Sequence, residues 1–115
     1  LDGGAGTAAV TLIGNLSPAR IAEITGRLLA TVQGDRRRFV ILDLTGVAEV
    51  ESSAARSLLS LISALELLGA QAILTGIRSN LAQALVSVNL ESSRLLTLRS
   101  LHDGLEYCRH KMGSK

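Results

Sequence analysis

Two kinds of hydrophobic spacing alternate along the chain. Short, nearly continuous apolar runs occur at residues 8–13, 39–44, 72–76 and 95–98. Between and after these runs, apolar residues recur every three or four positions, which is the spacing of one helix face. The short runs are typical of buried strands, and the spaced segments are typical of amphipathic helices. The pattern therefore predicts about four strands alternating with about four helices.

Serines and glycines mark the predicted helix boundaries. Three serines precede helical segments, and each is predicted to be an N-cap: Ser17, Ser79 and Ser100. Pro18 suits the first position of a helix, and Gly34 and Gly69 are predicted to end the first and second helices. The second helix is predicted over residues 52–68. Its apolar stripe consists of Ala54, Leu58, Leu61, Ile62, Leu65 and Leu68.

Strands and helices that alternate in this order need crossover connections, which place neighbouring strands parallel. We therefore expect one α/β domain over residues 1–115, with a mostly parallel central sheet. The glycine-rich segment 2–6 is predicted to be a turn, and a first strand preceding it would be largely missing. The chain begins with Leu1 and not with Met, which is compatible with excision from a longer protein.

The composition narrows the classes of partner. Hydrophobic residues make up 47% of the chain, but Phe39 and Tyr107 are its only aromatic residues. Proteins that bind single-stranded nucleic acid stack bases on aromatic side chains, and a net charge of +2 is too small to indicate a charged partner. We therefore expect no nucleic-acid partner.

Cysteine content and hydropathy indicate a cytoplasmic protein. Cys108 is the single cysteine, so no internal disulfide forms, which fits a reducing compartment. No apolar run approaches the roughly 20 residues of a membrane-spanning helix, and no signal peptide is present. We expect no association with a membrane.

The residues that usually carry catalysis or bind metals do not converge in this sequence. His102 and His110 share the last helical segment, with no cysteine or carboxylate that completes a metal-ligand spacing. Asp43 ends a strand-like run without an accompanying lysine, so a turn-stabilising role is predicted for it. The segment GGAGTA, residues 3–8, lacks the Lys-Ser or Lys-Thr pair of a phosphate-binding loop. We therefore expect no enzymatic activity, no cofactor and no metal site.

One polar cluster, Glu51-Ser52-Ser53, lies at the junction between a strand-like run and the second helix. The structural interpretation is that Ser52 caps the helix, which contributes about 1 kcal/mol, and that Glu51 complements the helix dipole. The regulatory interpretation is that a kinase reaches a hydroxyl at this helix terminus. A phosphate there would add about −1.5 to −2 charges. The spacing alone leaves both interpretations open.

Small residues line the other side of the second helix: Ser53, Ser57, Ser60, Ser63 and Ala64. This side is interpreted as a solvated face. The alternative is a surface that another protein approaches closely.

Three stretches resemble a known family. The segment DLTGVAEVESSA, residues 43–54, is similar to the signature of STAS domains, the fold of bacterial anti-sigma factor antagonists. That signature runs from an Asp-Leu pair through a hydrophobic stretch to an acid, two hydroxyl residues and a glycine. Residues 65–91, LELLGAQAILTGIRSNLAQALVSVNLE, resemble the STAS modules of stressosome scaffold and co-antagonist proteins. The segment LIGNLSPARIAEI, residues 12–24, fits the entry into the first helix of the family.

The resemblance implies a modification site and a docking site. In the family, the phosphorylated residue directly follows the acid, which corresponds to Ser52 here, with Ser53 as a second acceptor. Glu51 stands where the family usually has Asp, and Ala54 replaces the glycine of the signature. The implied partner-binding residues are Val47, Glu49, Glu51, Ser52, Ser53, Arg56 and Ser57.

The resemblance also implies a function, which is protein binding controlled by serine phosphorylation in a partner-switching stress or sigma-factor pathway. The implied partners are a serine/threonine switch kinase or anti-sigma factor and a metal-dependent serine phosphatase. Self-association or co-assembly with other STAS domains is expected as well. The alternative is a STAS appendage without a switch, for example of an anion transporter. A small α/β enzyme or ligand-binding domain is the third hypothesis.

Overall fold

The computed structural model describes residues 6–88 and 95–113. Within them, four parallel strands form one sheet in the order β1-β2-β3-β4, and helices alternate with the strands. The elements are β1 (Thr7–Leu16), α1 (Pro18–Asp35), β2 (Phe39–Val50), α2 (Ala54–Leu67), β3 (Gln71–Thr75), α3 (Ser79–Val88), β4 (Leu96–Leu98) and α4 (Leu101–Gly113). The predicted α/β fold with a parallel sheet is confirmed. Of the turn predicted at residues 2–6, only Gly6 lies within the described residues.

Helices cover both faces of the sheet. On one face, α1, α2 and α3 form the larger hydrophobic cluster with β2 and β3 side chains such as Val40, Leu42 and Leu74. On the other face, α4 places Cys108 against Ile41 in a smaller cluster. Because β2 and β3 are covered on both faces near the centre of the sheet, they need apolar side chains on both sides. This explains the continuous apolar run that begins β2.

β2 is twice as long as predicted. It spans 12 residues, 39–50, whereas the sequence predicts its end at Leu44. Thr45 and Gly46 are typical of a turn, but β1 lies alongside and pairs with β2 to the end of the strand. β3 pairs only with residues 39–43 of β2. The second half of β2 therefore projects beyond β3 and leads directly into the segment before α2.

Three predicted helix boundaries are confirmed. The hydroxyl of Ser17 accepts a hydrogen bond from the backbone N–H of Arg20 at 3.1 Å, as an N-cap does. The hydroxyl of Ser100 accepts in the same way from the N–H of Asp103, at 3.1 Å. Gly69 ends α2 with a φ of 88°, in the left-handed region that glycine adopts without strain.

Three other details differ from the sequence-based expectation. α1 continues past Gly34 to Asp35, and its C-cap residue Arg36 takes the left-handed conformation with a φ of 55°. Ser79 is the first residue of α3 and not its cap, because the carbonyl of Arg78 already accepts a helical hydrogen bond. Leu68 is 41% exposed, since α2 ends one residue earlier and Leu68 no longer follows its apolar stripe.

Asp43 is a buried carboxylate that joins two strands. It lies within β2, so the predicted role in a turn is wrong. One of its carboxylate oxygens accepts hydrogen bonds from the hydroxyls of Thr75, at 2.7 Å, and Thr45, at 2.9 Å. Gly76 follows Thr75 with a φ of 69° and passes close to the backbone of Thr45. The cluster therefore ties the end of β3 to the point where β2 continues beyond it.

This close approach makes Gly76 sensitive to substitution. A Cβ atom at Gly76 would lie 1.9 Å from the hydroxyl oxygen of Thr45, and its left-handed backbone disfavours other residues. We expect Gly76→Ala to lower the free energy of unfolding by at least about 2 kcal/mol, measured by urea denaturation. The control is Gly26→Ala in α1, where a Cβ meets nothing within 4 Å. It should raise stability by about 0.5–1 kcal/mol, and equal effects of the two substitutions would contradict the packing described at Gly76.

Candidate functional site at the start of α2

A four-residue turn joins β2 to α2. The carbonyl of Glu51 accepts a hydrogen bond from the N–H of Ala54 at 3.0 Å. Ser53 has a φ of 75° and a ψ of −8°, while Ser52 stays outside the positive-φ region, so the turn is of type II. Ser52 and Ser53 are its two central residues.

Neither serine caps α2, so the predicted N-cap at Ser52 is wrong. Ser53 is the residue next to the helix, and its side chain makes no capping hydrogen bond. A capping residue needs an extended backbone to place its oxygen over the first N–H groups, and the left-handed backbone of Ser53 does not provide it. The cause lies upstream: because β2 runs to residue 50, only a tight turn fits between the strand and the helix.

Both serine hydroxyls are available to other molecules. Ser52 and Ser53 are exposed, and neither hydroxyl has a hydrogen-bond partner among the residues that the structure describes. The turn is nevertheless well anchored, since Glu51 donates its N–H to the carbonyl of Leu16 at 2.8 Å. Ser57 donates its N–H to the carbonyl of Ser53 at 3.1 Å. The site therefore offers free hydroxyls on a fixed backbone.

Most of the predicted partner-binding residues lie on the exposed surface of the segment from the end of β2 to the first turn of α2. Glu49, Glu51 and Arg56 are exposed around the turn, and Ser57 is half-buried in the first turn of α2. Val47 differs from them, because its side chain is only 2% exposed and packs in the core. It supports this surface from below and is not available for direct contact while the domain is folded.

Asparagine and arginine side chains that the sequence pattern did not single out hold this region in place. Asn15, near the end of β1, donates a hydrogen bond from Nδ2 to a carboxylate oxygen of Glu51. Arg20 in α1 donates from Nη1 to the carbonyl of Asn15 at 3.0 Å. Asn80 in α3 donates from Nδ2 to the carbonyl of Ala48 at 3.1 Å. The Asn15–Glu51 and Asn80–Ala48 hydrogen bonds join residues more than 30 positions apart, so no local sequence signal indicates them.

Shallow grooves flank α2. The groove toward α1 is lined by Pro18, Ile21, Ala22, Thr25, Gly26, Ser57, Ser60 and Leu61. The groove toward α3 is lined by Arg56, Leu59, Ser60, Ser63, Ala64, Leu67 and Val88. The small residues of α2 therefore lie open in these grooves. Leu67 is 89% exposed at the end of the second groove.

Groups with catalytic or metal-binding chemistry lie elsewhere. Cys108 is buried on the inner side of α4. Burial raises the pKa of its thiol above the ordinary value, and a hydrogen bond with the Thr7 hydroxyl opposes this shift. His102 and His110 are exposed on α4. Over residues 6–88 and 95–113, no group of three or more His, Cys, Asp or Glu side chains is arranged to hold a metal ion.

The left-handed backbone of Ser53 generates a stability prediction. A non-glycine residue in this conformation costs about 1–3 kcal/mol, whereas glycine adopts it without strain. We expect Ser53→Gly to raise the free energy of unfolding by about 0.5–1 kcal/mol, after the larger entropy of the unfolded glycine chain is subtracted. The control Ser52→Gly relieves no strain and should lower it by about 0.5–1 kcal/mol. Chemical denaturation of both variants checks the difference, and the opposite ranking would contradict this turn geometry.

Comparison with known proteins gives this arrangement a context. Residues 3–103 match the model of the STAS domain family. The RsbT co-antagonist protein RsbRA of Bacillus subtilis is 32% identical over 95 residues, which are 83% of this chain and 35% of that protein. The chain thus spans about a third of the length of this curated relative.

Solved structures share the fold. An RsbS variant from Moorella thermoacetica has a TM-score of 0.81 at 22% identity, covering 95% of this chain and 92% of that one. The STAS domain of a SulP transporter from Vibrio cholerae has a TM-score of 0.75 at 18% identity, covering 96% of this chain and 86% of that one.

Within the described residues, none of the helices is long and apolar enough to cross a membrane. The family match, together with the identity to an RsbT co-antagonist, establishes that this chain belongs to the STAS domain family and is related to the co-antagonists of the stressosome.

Proposed function

We propose that this domain is a non-catalytic module whose binding to a protein partner is switched by phosphorylation of Ser52. The observation that carries the proposal is the exposed hydroxyl of Ser52, without a hydrogen-bond partner in the described chain, at the first central position of the turn after Glu51. The STAS signature puts its phosphorylated residue directly after the acid, which supports Ser52 over Ser53 as the acceptor.

The partner proposed is a switch kinase of the RsbT type. The support is the identity to RsbRA, whose name describes it as an RsbT co-antagonist. In this scheme the kinase docks on the unphosphorylated domain, phosphorylates Ser52 and is released, and a metal-dependent serine phosphatase restores the site. The domain would assemble with other STAS domains, as copies of itself or as different chains, and would work in the cytoplasm.

The proposed docking surface comprises Glu49, Glu51, Ser52, Ser53, Arg56 and Ser57. Its ionisable side chains are two acids and one arginine, so its formal charge is −2 + 1 = −1. A phosphate on Ser52 would add about −1.5 to −2 charges, which would roughly triple the negative charge at one point. A kinase surface that accommodates the unmodified turn would then meet both a larger group and an added charge.

The fold is expected to tolerate this phosphate. The first N–H groups of α2 receive no side-chain cap, and such groups at a helix N-terminus interact favourably with an anion. The leucines of α2 that face the sheet are buried at 0–2% exposure, so the helix cannot move away without opening the core. Phosphorylation is therefore proposed to change the docking surface while the domain stays folded.

The transporter-appendage alternative has less support. It rests on likenesses of fold at 16–23% identity, whereas the similarity to RsbRA extends to the sequence over most of this chain. No observation on the docking surface favours it.

Phosphorylation in vitro tests the proposal. We expect RsbT of Bacillus subtilis with MgATP to transfer one phosphate to this domain, mapped to Ser52 by tandem mass spectrometry. Ser52→Ala should abolish the transfer, and Ser53→Ala should keep most of it. The phosphorylated domain should bind the kinase at least about tenfold more weakly, a difference of about 1.4 kcal/mol. Calorimetry or interferometry with both forms measures this change.

RsbRA in the same reaction is the positive control for the kinase. If RsbRA is phosphorylated and this domain is not, or if phosphate appears on Ser53 and never on Ser52, the proposed switch is wrong. Phosphopeptide mapping of the protein from its own cells, before and after stress, extends the test to the natural kinase. An unmodified Ser52 under every condition would favour a scaffold without a switch.

A further inference from the structure

The Glu51 carboxylate beside the proposed acceptor is held by another side chain. Asn15 Nδ2 donates a hydrogen bond to one of its oxygens, across the pairing of β1 with β2. An exposed hydrogen bond of this kind is weak when both side chains are free, because ordering them costs conformational entropy. The contact matters only if one partner is already fixed, so the surroundings of Asn15 are decisive.

The main chain around Asn15 is fixed from two directions. Arg20 Nη1 donates to the carbonyl of Asn15 at 3.0 Å and also to the carbonyl of Ile13, which clamps the end of β1 to the start of α1. On the other side, the N–H of Glu51 donates to the carbonyl of Leu16 at 2.8 Å and continues the ladder past the end of β2. The Asn15 donor is therefore preorganised, and less entropy is lost when it binds the carboxylate.

A shift in strand register determines which residues of β2 share a face with the Asn15 side chain. Gly14 is opposite Val47, but Asn15 is opposite Glu49, so Ala48 is an extra residue in β2. Without this shift Asn15 would face Ala48, and a slip of one residue turns a side chain to the other face of a sheet. The extra residue thus turns Glu49 and, two residues on, Glu51 to the face of the sheet that carries Asn15.

The extra residue has its own support. The carbonyl of Ala48 accepts a hydrogen bond from Asn80 Nδ2 at 3.1 Å, which satisfies a backbone group that the shift takes out of the regular ladder. The two asparagines therefore contact different parts of this region. Asn15 acts on the Glu51 carboxylate, and Asn80 acts on the backbone three residues earlier.

We propose that Asn15 is a positioning residue: it holds the Glu51 carboxylate and, through it, the turn of residues 51–54 in the form that the kinase recognises. The part of this inference that concerns kinase recognition rests on the proposed function. The part that concerns the order of the turn rests on the geometry alone. A glutamate has one more rotatable bond than the aspartate usual at this position of the signature, so it needs such a partner to present its charge in one place. Glu49, a second negative charge on the same face, adds to the need, because like charges otherwise separate.

The first test needs no kinase. Asn15→Ala should accelerate hydrogen exchange of the Ala54 amide, whose N–H closes the turn on the Glu51 carbonyl, by about three- to tenfold, the range expected for one hydrogen bond. Asn80→Ala is the matched control, since it removes the other asparagine contact to β2 without touching Glu51. Because β1 pairs with β2 on both sides of Ala48, the register should persist in this variant and the exchange rate should stay unchanged. The amide spectrum of each variant verifies that the fold is retained.

The second test measures phosphorylation kinetics with RsbT and MgATP. Asn15→Ala should raise the KM for the domain by about three- to tenfold with little change in kcat, because it removes an interaction made equally in the bound state and the transition state. In a Glu51→Ala background, Asn15→Ala should have no further effect, whereas a merely structural role would give additive effects. Asn15→Asp should raise the KM at least as much as Asn15→Ala, since it puts a negative charge against the carboxylate.

The outcomes separate the two proposals. An unchanged exchange rate at Ala54 in Asn15→Ala, or additive effects of Asn15→Ala and Glu51→Ala on KM, would overturn the role of Asn15. If the wild-type domain accepts no phosphate while RsbRA does in the same reaction, the proposed function fails together with the kinase part of this proposal. The exchange measurement then still decides whether Asn15 orders the turn.

Discussion

The parallel pairing of β1 with β2 is the constraint on which the candidate site depends. β3 supports β2 only over residues 39–43, so the second half of β2 has β1 as its strand neighbour within the described chain. This pairing carries β2 seven residues past the end of its contact with β3, to Val50. It therefore determines where α2 begins, how few residues remain for the turn, and which serine takes the strained position.

The core beneath the site makes α2 a rigid support. Leu58, Leu61 and Leu65 are each at most 2% exposed and belong to the larger hydrophobic cluster. Removing the packing of even one such leucine typically costs about 2–5 kcal/mol, which is a large part of the stability of a domain this size. This packing holds α2 in place beneath the exposed turn that carries Ser52 and Ser53.

Local sequence signals predicted the elements that local interactions determine. The caps at Ser17 and Ser100 and the stop at Gly69 depend on hydrogen bonds within a few residues, and all of them are present. Sequence-based predictions were wrong where contacts between distant segments determine the structure. Thr45 and Gly46 have the chemistry of a turn, but they extend a strand because β1 supplies their neighbours.

In the candidate site, too, residues with a local sequence signal were identified and residues that act through distant contacts were not. Glu51, Ser52 and Ser53 were identified because their chemistry is unusual at the junction of a strand and a helix. The assignment of Ser52 as a cap was wrong because it assumed a helix that starts at residue 52, and the long β2 excludes that start. Asn15 and Asn80 carry no local signal, since each matters through a contact more than 30 residues away that depends on a register shift.

The two departures from the STAS signature have physical explanations in this fold. A left-handed backbone favours glycine, and here the residue with that backbone is Ser53, whereas Ala54 begins the helix and is fully buried. An alanine is therefore well suited to position 54. Glu51 in place of Asp adds one methylene, and its carboxylate contacts Asn15. The longer acid and the asparagine on the neighbouring strand thus form a matched pair, so the charge next to Ser52 is retained and held by a contact that spans β1 and β2.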